Sequence, residues 1–382
     1  MNVYFDNAAT TKVRGEVIDD ISNVLKDCFG NPSSPHSFGR SAKSYIETSR
    51  KSIAKILNCQ PSEIIFNSGG TESDNSILKC AVKDLGIKHI ISSKIEHHAV
   101  THTLDDLELQ GVNVHYVKLS ENGNIDIDNL EHLLSFNNEP KLVTLMYINN
   151  EIGNILDVKS VSDLCQKYNS LFHTDAVQSV GHYNLDLSLI PIDFLAASAH
   201  KFHGPKGIGF AFVRSGLGLQ PIITGGAQER GCRAGTESIH DIVGLDTALS
   251  IAYQNLESEK QHIQSLKSYF IDRLKAEVSD VGFNGCCDNF EKSTYTLVNV
   301  CLPVSTEKTP LFLFQLDLKG IACSKGSACQ SGSDSGSHVL REFLSEEALK
   351  KPSIRFSFSK YNTKSEIDEV IGVLKDLVLE PA

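Results

Sequence analysis

The 382-residue chain has no apolar run approaching the roughly 20 residues a membrane helix requires, so no helical membrane span is expected. It also lacks a basic or apolar leader, since Met1 is followed closely by Tyr4, Phe5 and Asp6, and the expected location is the cytoplasm. A field of lysine and arginine is missing. With 36 Lys+Arg against 47 Asp+Glu and a net charge of -11, broad binding to nucleic acid is not expected, although local donors could still hold a small anion. The ten cysteines, at 28, 59, 80, 165, 232, 286, 287, 301, 323 and 329, show no paired zinc-ribbon spacing and are too sparse for a disulfide scaffold. No metal site is expected, and most of these thiols read as small buried hydrophobes. Internal repeats are absent. What remains is an ordinary globular composition, 41% hydrophobic and 22% charged, on a chain longer than one core usually supports, so two domains are expected.

Between about residues 60 and 215, short runs rich in Val and Ile alternate with helical patterns. Residues 64–66, 87–91, 112–117, 142–147, 171–173, 193–197 and 209–213 read as strands, and 72–84, 97–110 and 157–169 as helices. That order predicts an α/β fold with a mainly parallel sheet covered by helices, whose ligand sits beyond the carboxyl ends of the strands. A surface helix is predicted over 39–57, and a long helical stretch over about 241–277 is placed to bridge the two domains. Strands near 294–301 and 354–358 and helices near 309–318, 338–344 and 365–379 predict a compact second domain. Residues 331–337, a Gly/Ser run, read as a flexible loop.

Five segments carry chemistry. Lys201 follows the buried-strand pattern of 194–197, where an amine can reach a ligand; an amine condenses with an aldehyde only when unprotonated, which burial or a cationic neighbour favours. Alone, it would be a solvated loop lysine. Asp175 also follows a strand and could hold a proton on a pyridine nitrogen, or simply cap a turn. Gly69-Gly70-Thr71 lies between a strand and a helix, where close backbone approach, helix-start amides and the Thr71 hydroxyl suit a phosphate, with Ser198 and His200 as further donors. By itself it is an ordinary helix cap. His97 could stack on a cofactor and pass protons, or play a structural or surface role; a metal site with His98 and His102 lacks the rest of a ligand set. Cys329, in Gly326-Ser327-Ala328-Cys329-Gln330-Ser331-Gly332, sits where a thiolate could attack a bound substrate and carry cargo outward, whereas Cys323 reads as part of a small strand.

In order along nearly the whole chain, these segments resemble the cysteine desulfurases. That pyridoxal-phosphate family of the class V aminotransferase superfamily includes the iron-sulfur assembly and nitrogenase-associated enzymes. The resemblance runs through residues 4–11, 29–34, 70–75, Asn149-Asn150-Glu151-Ile152-Gly153, 175–181, His200-Lys201, 229–236, 326–329 and 354–357. It implies fold type I of the pyridoxal-phosphate-dependent transferases: α/β, with a mainly parallel seven-stranded sheet in a large domain plus a small α+β domain. The implied boundaries are 15–250 for the large domain and 1–14 with 251–382 for the small one. Lys201 is the implied carrier of pyridoxal 5'-phosphate, Asp175 the partner of its ring nitrogen, Gln178 that of its ring oxygen, and His97 the stacked proton-transfer residue.

Gly70, Thr71, Ser198 and His200 are implied at the phosphate, together with Thr236 from the other subunit of a homodimer. Asn149, also counted in the cofactor site, and Arg355 are implied to orient the substrate, L-cysteine, with Arg355 gripping its carboxylate. Cys329 is the implied sulfur acceptor, on a loop of the long mobile kind that delivers sulfur directly to an iron-sulfur scaffold protein and possibly other acceptors. Neither nucleic acid nor membrane is an implied partner. Departures include Lys12 for the usual Pro, Gly70 for Ala, Ala199 for Gly and His203 for Tyr, and residues 224–227 lack one usual glycine. A selenocysteine lyase, a transaminase-like relative and a catalytically silent regulatory partner remain open at this point.

Overall fold

A computed structural model describes residues 2–305, 309–326 and 336–379. Cys329 and most of the Gly/Ser run predicted as a loop lie outside the described residues. The chain begins with β1 (Val3–Tyr4), an irregular stretch, α1 (Gly15–Asp27) and α2 (Ser37–Ile56). An alternating region follows: β2 (Ile64–Asn67), α3 (Gly70–Leu85), β3 (His89–Ser92), α4 (His98–Leu109), β4 (Asn113–Tyr116), α5 (Ile127–Ser135), β5 (Lys141–Thr144), α6 (Val158–Lys167), β6 (Leu171–Asp175), β7 (Phe194–Ser198) and β8 (Gly209–Val213). Then come α7 (Ile239–Gln254), α8 (Leu256–Glu277), β9 (Gly282–Phe283), β10 (Leu297–Cys301), α9 (Thr309–Leu318) and β11 (Ile321–Ala322). The final elements are the short α10 (His338–Arg341) and α11 (Glu346–Leu349), β12 (Ser353–Ser357) and α12 (Lys364–Leu379).

The sheet order is β2-β8-β7-β6-β5-β3-β4, seven strands in which β8 runs against both of its neighbours and the rest are parallel. Every residue of β3, β5 and β7 is buried, as expected for strands covered on both faces. The parallel arrangement brings the residues after β3, β5, β6 and β7 to one edge. Those are the segments that contain His97, Asn149, Asp175 and Lys201.

The buried apolar residues around this sheet come from positions 17–249, whereas a separate cluster joins Val3, Phe5 and Ala8 to residues 263–377. The N-terminal residues therefore belong by packing with the end of the chain. β1 pairs in parallel with β11, and the Ser357 amide donates to the Phe5 carbonyl at 2.7 Å.

The predicted helix over 241–277 is two helices. Asn255 separates them, its side-chain amide donating at 3.0 Å to the Ile251 carbonyl that its own backbone also reaches, a local alternative that ends the first helix. The helix expected near 338–344 stops at Arg341, and the run 142–147 leaves the sheet after Thr144. The sequence reading assigned neither α1 nor α5. Only two residues of each, Val17 and Val24 or Leu130 and Leu134, are buried, so the apolar stripe is thin.

Candidate active site

The site is built around the end of β7. Five buried residues carry the chain to Ser198, and one tight turn, Ala199–Lys201, places the lysine at the carboxyl edge of the sheet. There Lys201 Nζ donates to the carbonyls of Ala8 at 2.6 Å and Ala9 at 3.0 Å. The adjoining bonds zip the same two segments together: Thr11 Oγ1 donates to the His200 carbonyl at 2.9 Å and accepts from the His203 amide at 2.8 Å, and His200 Nδ1 lies 3.1 Å from Thr10 Oγ1. Burial first, and then the charge of Lys201, pushes His200 down to about 4, so its ring is uncharged at neutral pH.

Asp175 ends β6. Its Oδ1 accepts from the Val177 amide at 2.9 Å, and burial, reinforced by Asp74, raises it to about 7. Gln178 donates to the Ala8 carbonyl at 3.0 Å, so the N-terminal segment also reaches this strand end.

Between β2 and α3 the chain makes the turn at Gly69, with φ +140°. A Cβ there would meet Ser198 Oγ at 3.1 Å, and one on Gly70 would lie 2.6 Å from Val177 Cγ2. The 16-residue α3 therefore starts, without a side-chain cap, beside a serine hydroxyl and an exposed Thr71, an arrangement of donors suited to an anion. The turn is secured by the Ser68 amide donating to Glu72 at 2.9 Å, with Arg233 on the same carboxylate at 2.9 Å.

His97 caps α4, its Nδ1 accepting from the Ala99 amide at 3.1 Å. Burial, followed by the Lys201 charge, lowers it to about 4, so the neutral ring carries its proton on Nε2. Asn149 is buried with both ends of its side chain in use: Nδ2 donates to Ile95 O at 2.9 Å, and Oδ1 accepts from the amides of Glu151 and Ile152 at 2.9 and 3.0 Å. Arg355 is 1% exposed on β12, donating to Asn150 O at 2.7 Å and Asp6 Oδ1 at 2.8 Å, with its Nε lacking a partner among the described residues. Thr236 is exposed and lines a cleft of about 330 Å³ with Cys28, Phe29, Gly30, Asn31 and Pro32.

Several residues at the site were not picked out from sequence. Asp6, which ties Arg355 and Ser324 to the N-terminal segment, became a candidate only through contacts more than 300 residues away in the chain. Behind Asp175 lie Asp74, Glu96 and His173. Burial raises Asp74 to about 8 and Glu96 well above the usual range, and lowers His173 to about 4. His173 Nε2 and Asp74 Oδ1 are 3.4 Å apart, and His173 Nδ1 lies 2.8 Å from Thr144 Oγ1. The sequence did carry a signal for these: Asp74 and Glu96 lie within or beside the segments containing Thr71 and His97, and His173 is two residues before Asp175 on the same strand face.

An amine at a strand end, buried carboxyls beneath it and an uncapped helix start define a cofactor-binding enzyme site on a doubly covered sheet. The profile of the class-V aminotransferases matches residues 3–370. The chain is 39% identical over 378 residues to the cysteine desulfurase IscS of Dictyoglomus turgidum, covering 98% of this chain and 94% of that one. It is 38% identical over 381 residues to the putative cysteine desulfurase IscS 1 of Bacillus subtilis, covering 98% of each. Among solved structures, a NifS-like protein superposes with a TM-score of 0.89 at 34% identity over 99% of both chains. SspA in complex with cysteine superposes at 0.82, with 31% identity over 95% of this chain and all of that one. The chain belongs to the class-V aminotransferases and, within them, to the cysteine desulfurase family. The family depends on pyridoxal 5'-phosphate, and the residues here fit it: a lysine amine, a buried carboxyl for the ring nitrogen, and the Ser198, Thr71 and α3 donors for the phosphate.

Proposed function

We propose that this chain is a cysteine desulfurase that converts L-cysteine to L-alanine and passes the sulfur, as a persulfide on Cys329, to acceptor proteins for iron-sulfur cluster assembly. tRNA thiolation is a second outlet for the same sulfur. The observation that carries the reading is that one short segment serves two cationic side chains: Asp6 receives Arg355, while Ala8 and Ala9 receive Lys201. The Cα atoms of Asp6 and Ala8 are no more than about 7 Å apart along the chain, and each cation lies one hydrogen bond from this segment, so the amine and the guanidinium share one mount. The likeness to SspA, which has been solved with cysteine, supports the choice of substrate.

When bound, the cofactor supplies an electron sink for the pair left on the substrate's Cα. Lys201 Nζ holds the cofactor at rest and, once released by the substrate's amine, moves a proton from Cα. Asp175 keeps the ring-nitrogen proton in place. Ser198, His200, Gly70 and Thr71 hold the phosphate, and Gln178 the ring oxygen. Arg355 fixes the substrate carboxylate, and Asn149 acts on both cofactor and substrate by holding the 149–152 turn in position. With Nδ1 capped, His97 presents Nε2–H, a donor; serving as a base would require moving that proton to Nδ1 and giving up the helix cap. The Cys329 thiolate attacks the substrate sulfur, the Cβ–S bond breaks with its electron pair retained by the carbon frame, and Cβ takes a proton; Lys201 then returns a proton to Cα and, on taking back its place on the cofactor, releases alanine.

In this reading residues 15–250 form the cofactor domain, and 1–14 with 251–382 the small domain that carries Cys329. The active form is a cytoplasmic homodimer in which Thr236 serves the partner's phosphate site, a role supported by its exposed place on a cleft. The test is incubation of the pure protein with L-cysteine, trapping of the persulfide on the Cys329 peptide and measurement of alanine, with L-selenocysteine in parallel. Lys201→Ala is expected to abolish covalent cofactor attachment, and Cys329→Ser to abolish the persulfide while keeping the cofactor. Alanine formation at the native rate by Cys329→Ser would overturn the assignment.

A further inference from the structure

The turn after β5 connects three parts of the molecule. Asn149 fastens it to Ile95, next to Glu96 and His97, and the Asn150 carbonyl holds Arg355. The third connection is Glu151. Its side chain is fully buried, a setting in which a carboxyl group is retained only with partners.

Those partners belong to the two ends of the segment that carries Cys329. On the upstream side, a Cβ at Gly326 would stand 3.0 Å from Glu151 Oε2, so the backbone there lies directly against the carboxyl group. On the downstream side, Ser337 Oγ donates to the same oxygen at 2.5 Å and accepts from the Leu340 amide at 3.0 Å, starting α10. His338 Nδ1 is 3.7 Å from Glu151 Oε1, while its Nε2 donates to the Glu96 carbonyl at 2.9 Å and its ring lies 4.3 Å from that of His98. Val339 and Leu340 pack with Ile95 and Ile152, completing the downstream anchorage. Glu151 is itself held from behind, its amide by Asn149 Oδ1 and its carbonyl by Asn299 Nδ2 at 3.0 Å.

We propose that Glu151 is a positioning residue for sulfur transfer, holding both ends of the Cys329-bearing segment against the turn that fixes Arg355. This rests on the desulfurase reading and adds how the thiol's mount is registered to the substrate's mount. One carboxyl group bonds residue 337 and packs against residue 326, on a turn whose neighbouring carbonyl holds the arginine, so both ends of the segment are registered to the carboxylate grip.

The experiment compares holoenzyme of the native protein, Glu151→Ala and Glu151→Gln. Hydrogen exchange is followed at residues 321–326 and 336–341, together with the rate of Cys329 alkylation by iodoacetamide and the kinetics of alanine formation from L-cysteine. Glu151→Ala is expected to speed exchange at both ends, change the alkylation rate and lower kcat by about tenfold or more, because misplacement of a reacting group by about 1 Å has costs of that size, with little change in KM. Glu151→Gln, which keeps an acceptor for Ser337, is expected to restore most of kcat. Should Glu151→Ala fold poorly, Gly326→Ala supplies the same test by crowding the contact from the other side. Native exchange, alkylation and kcat in these variants would overturn the proposal, as would equal losses in the alanine and glutamine variants. If instead Cys329→Ser retained full turnover, the desulfurase reading would fail separately, and with it the role in sulfur transfer, even where both ends lost protection.

Discussion

Replacing Glu229 by Ala tests the packing logic of the segment that leads to Arg233 and Thr236. Glu229 and Arg50 are 2% and 3% exposed, and they form two parallel bonds, each 2.7 Å. The same carboxylate accepts the Phe66 amide at 2.8 Å, and Arg50 also donates to Ile64 O at 2.7 Å. The knot holds Glu229 and Arg230 at φ +45° and +56°, a region non-glycine residues rarely occupy. Truncation leaves the buried guanidinium with only the partly exposed Glu47, 3.2 Å from its Nε, as counter-ion, at a cost of up to about 3–5 kcal/mol. For a domain of this size that lowers the melting temperature by roughly 6–20 °C. The assay is urea and thermal unfolding of the single variant and of Arg50→Met/Glu229→Leu, which removes both charges and is expected to recover most of the loss. A single-variant loss below about 1 kcal/mol, or a double variant less stable than the single one, would refute the reasoning.

Two further effects follow from the same structure. His203 is buried at φ +70° with Nδ1 2.7 Å from Lys12 O, and burial depresses it from 6.5 to about 4. Between those values the unfolded chain binds a proton that the folded chain refuses, so this imidazole costs stability as pH falls from 6.5 to 4, by about 2 kcal/mol at pH 5. His203→Asn, a residue that accepts positive φ, is expected to remove that slope, and unfolding free energies at pH 7 and 5 with an unchanged difference would count against it. Gly70→Ala puts a methyl group 2.6 Å from Val177 Cγ2, a stiff side chain. It is expected to cost about 1–3 kcal/mol and weaken cofactor retention, with Val177→Ala as the relieving second change, checked by unfolding and cofactor titration. Retention as tight in Gly70→Ala as in the native protein would show that Val177 yields freely.

The parts of the site that were legible in sequence lie within a few residues of a strand end. Lys201 after β7 and Asp175 at the end of β6 were marked by runs of buried residues, and the strands over 209–213 and the helix over 309–318 have the predicted bounds. Contacts that close through tertiary packing left no local trace. Nothing around Asp6 indicates that it meets Arg355, and nothing around Ala8 that its carbonyl takes both Lys201 and Gln178, because the acceptor is a backbone atom common to every residue. The break at Asn255 was missed because the helical propensity around it is good and a single side-chain amide decides the matter.

The placement of residues 5–11 has a consequence for biosynthesis. Phe5 waits for the amide of Ser357, and Asp6 for the side chain of Arg355. A ribosome adding residues one at a time therefore delivers the lysine, its strand and the partners of residues 8–11 well before those of Phe5 and Asp6. A nascent or C-terminally shortened polypeptide would have its seven-stranded sheet and its lysine but not the guanidinium that Asp6 receives, so the mount for the substrate carboxylate is the last part of the site to be completed.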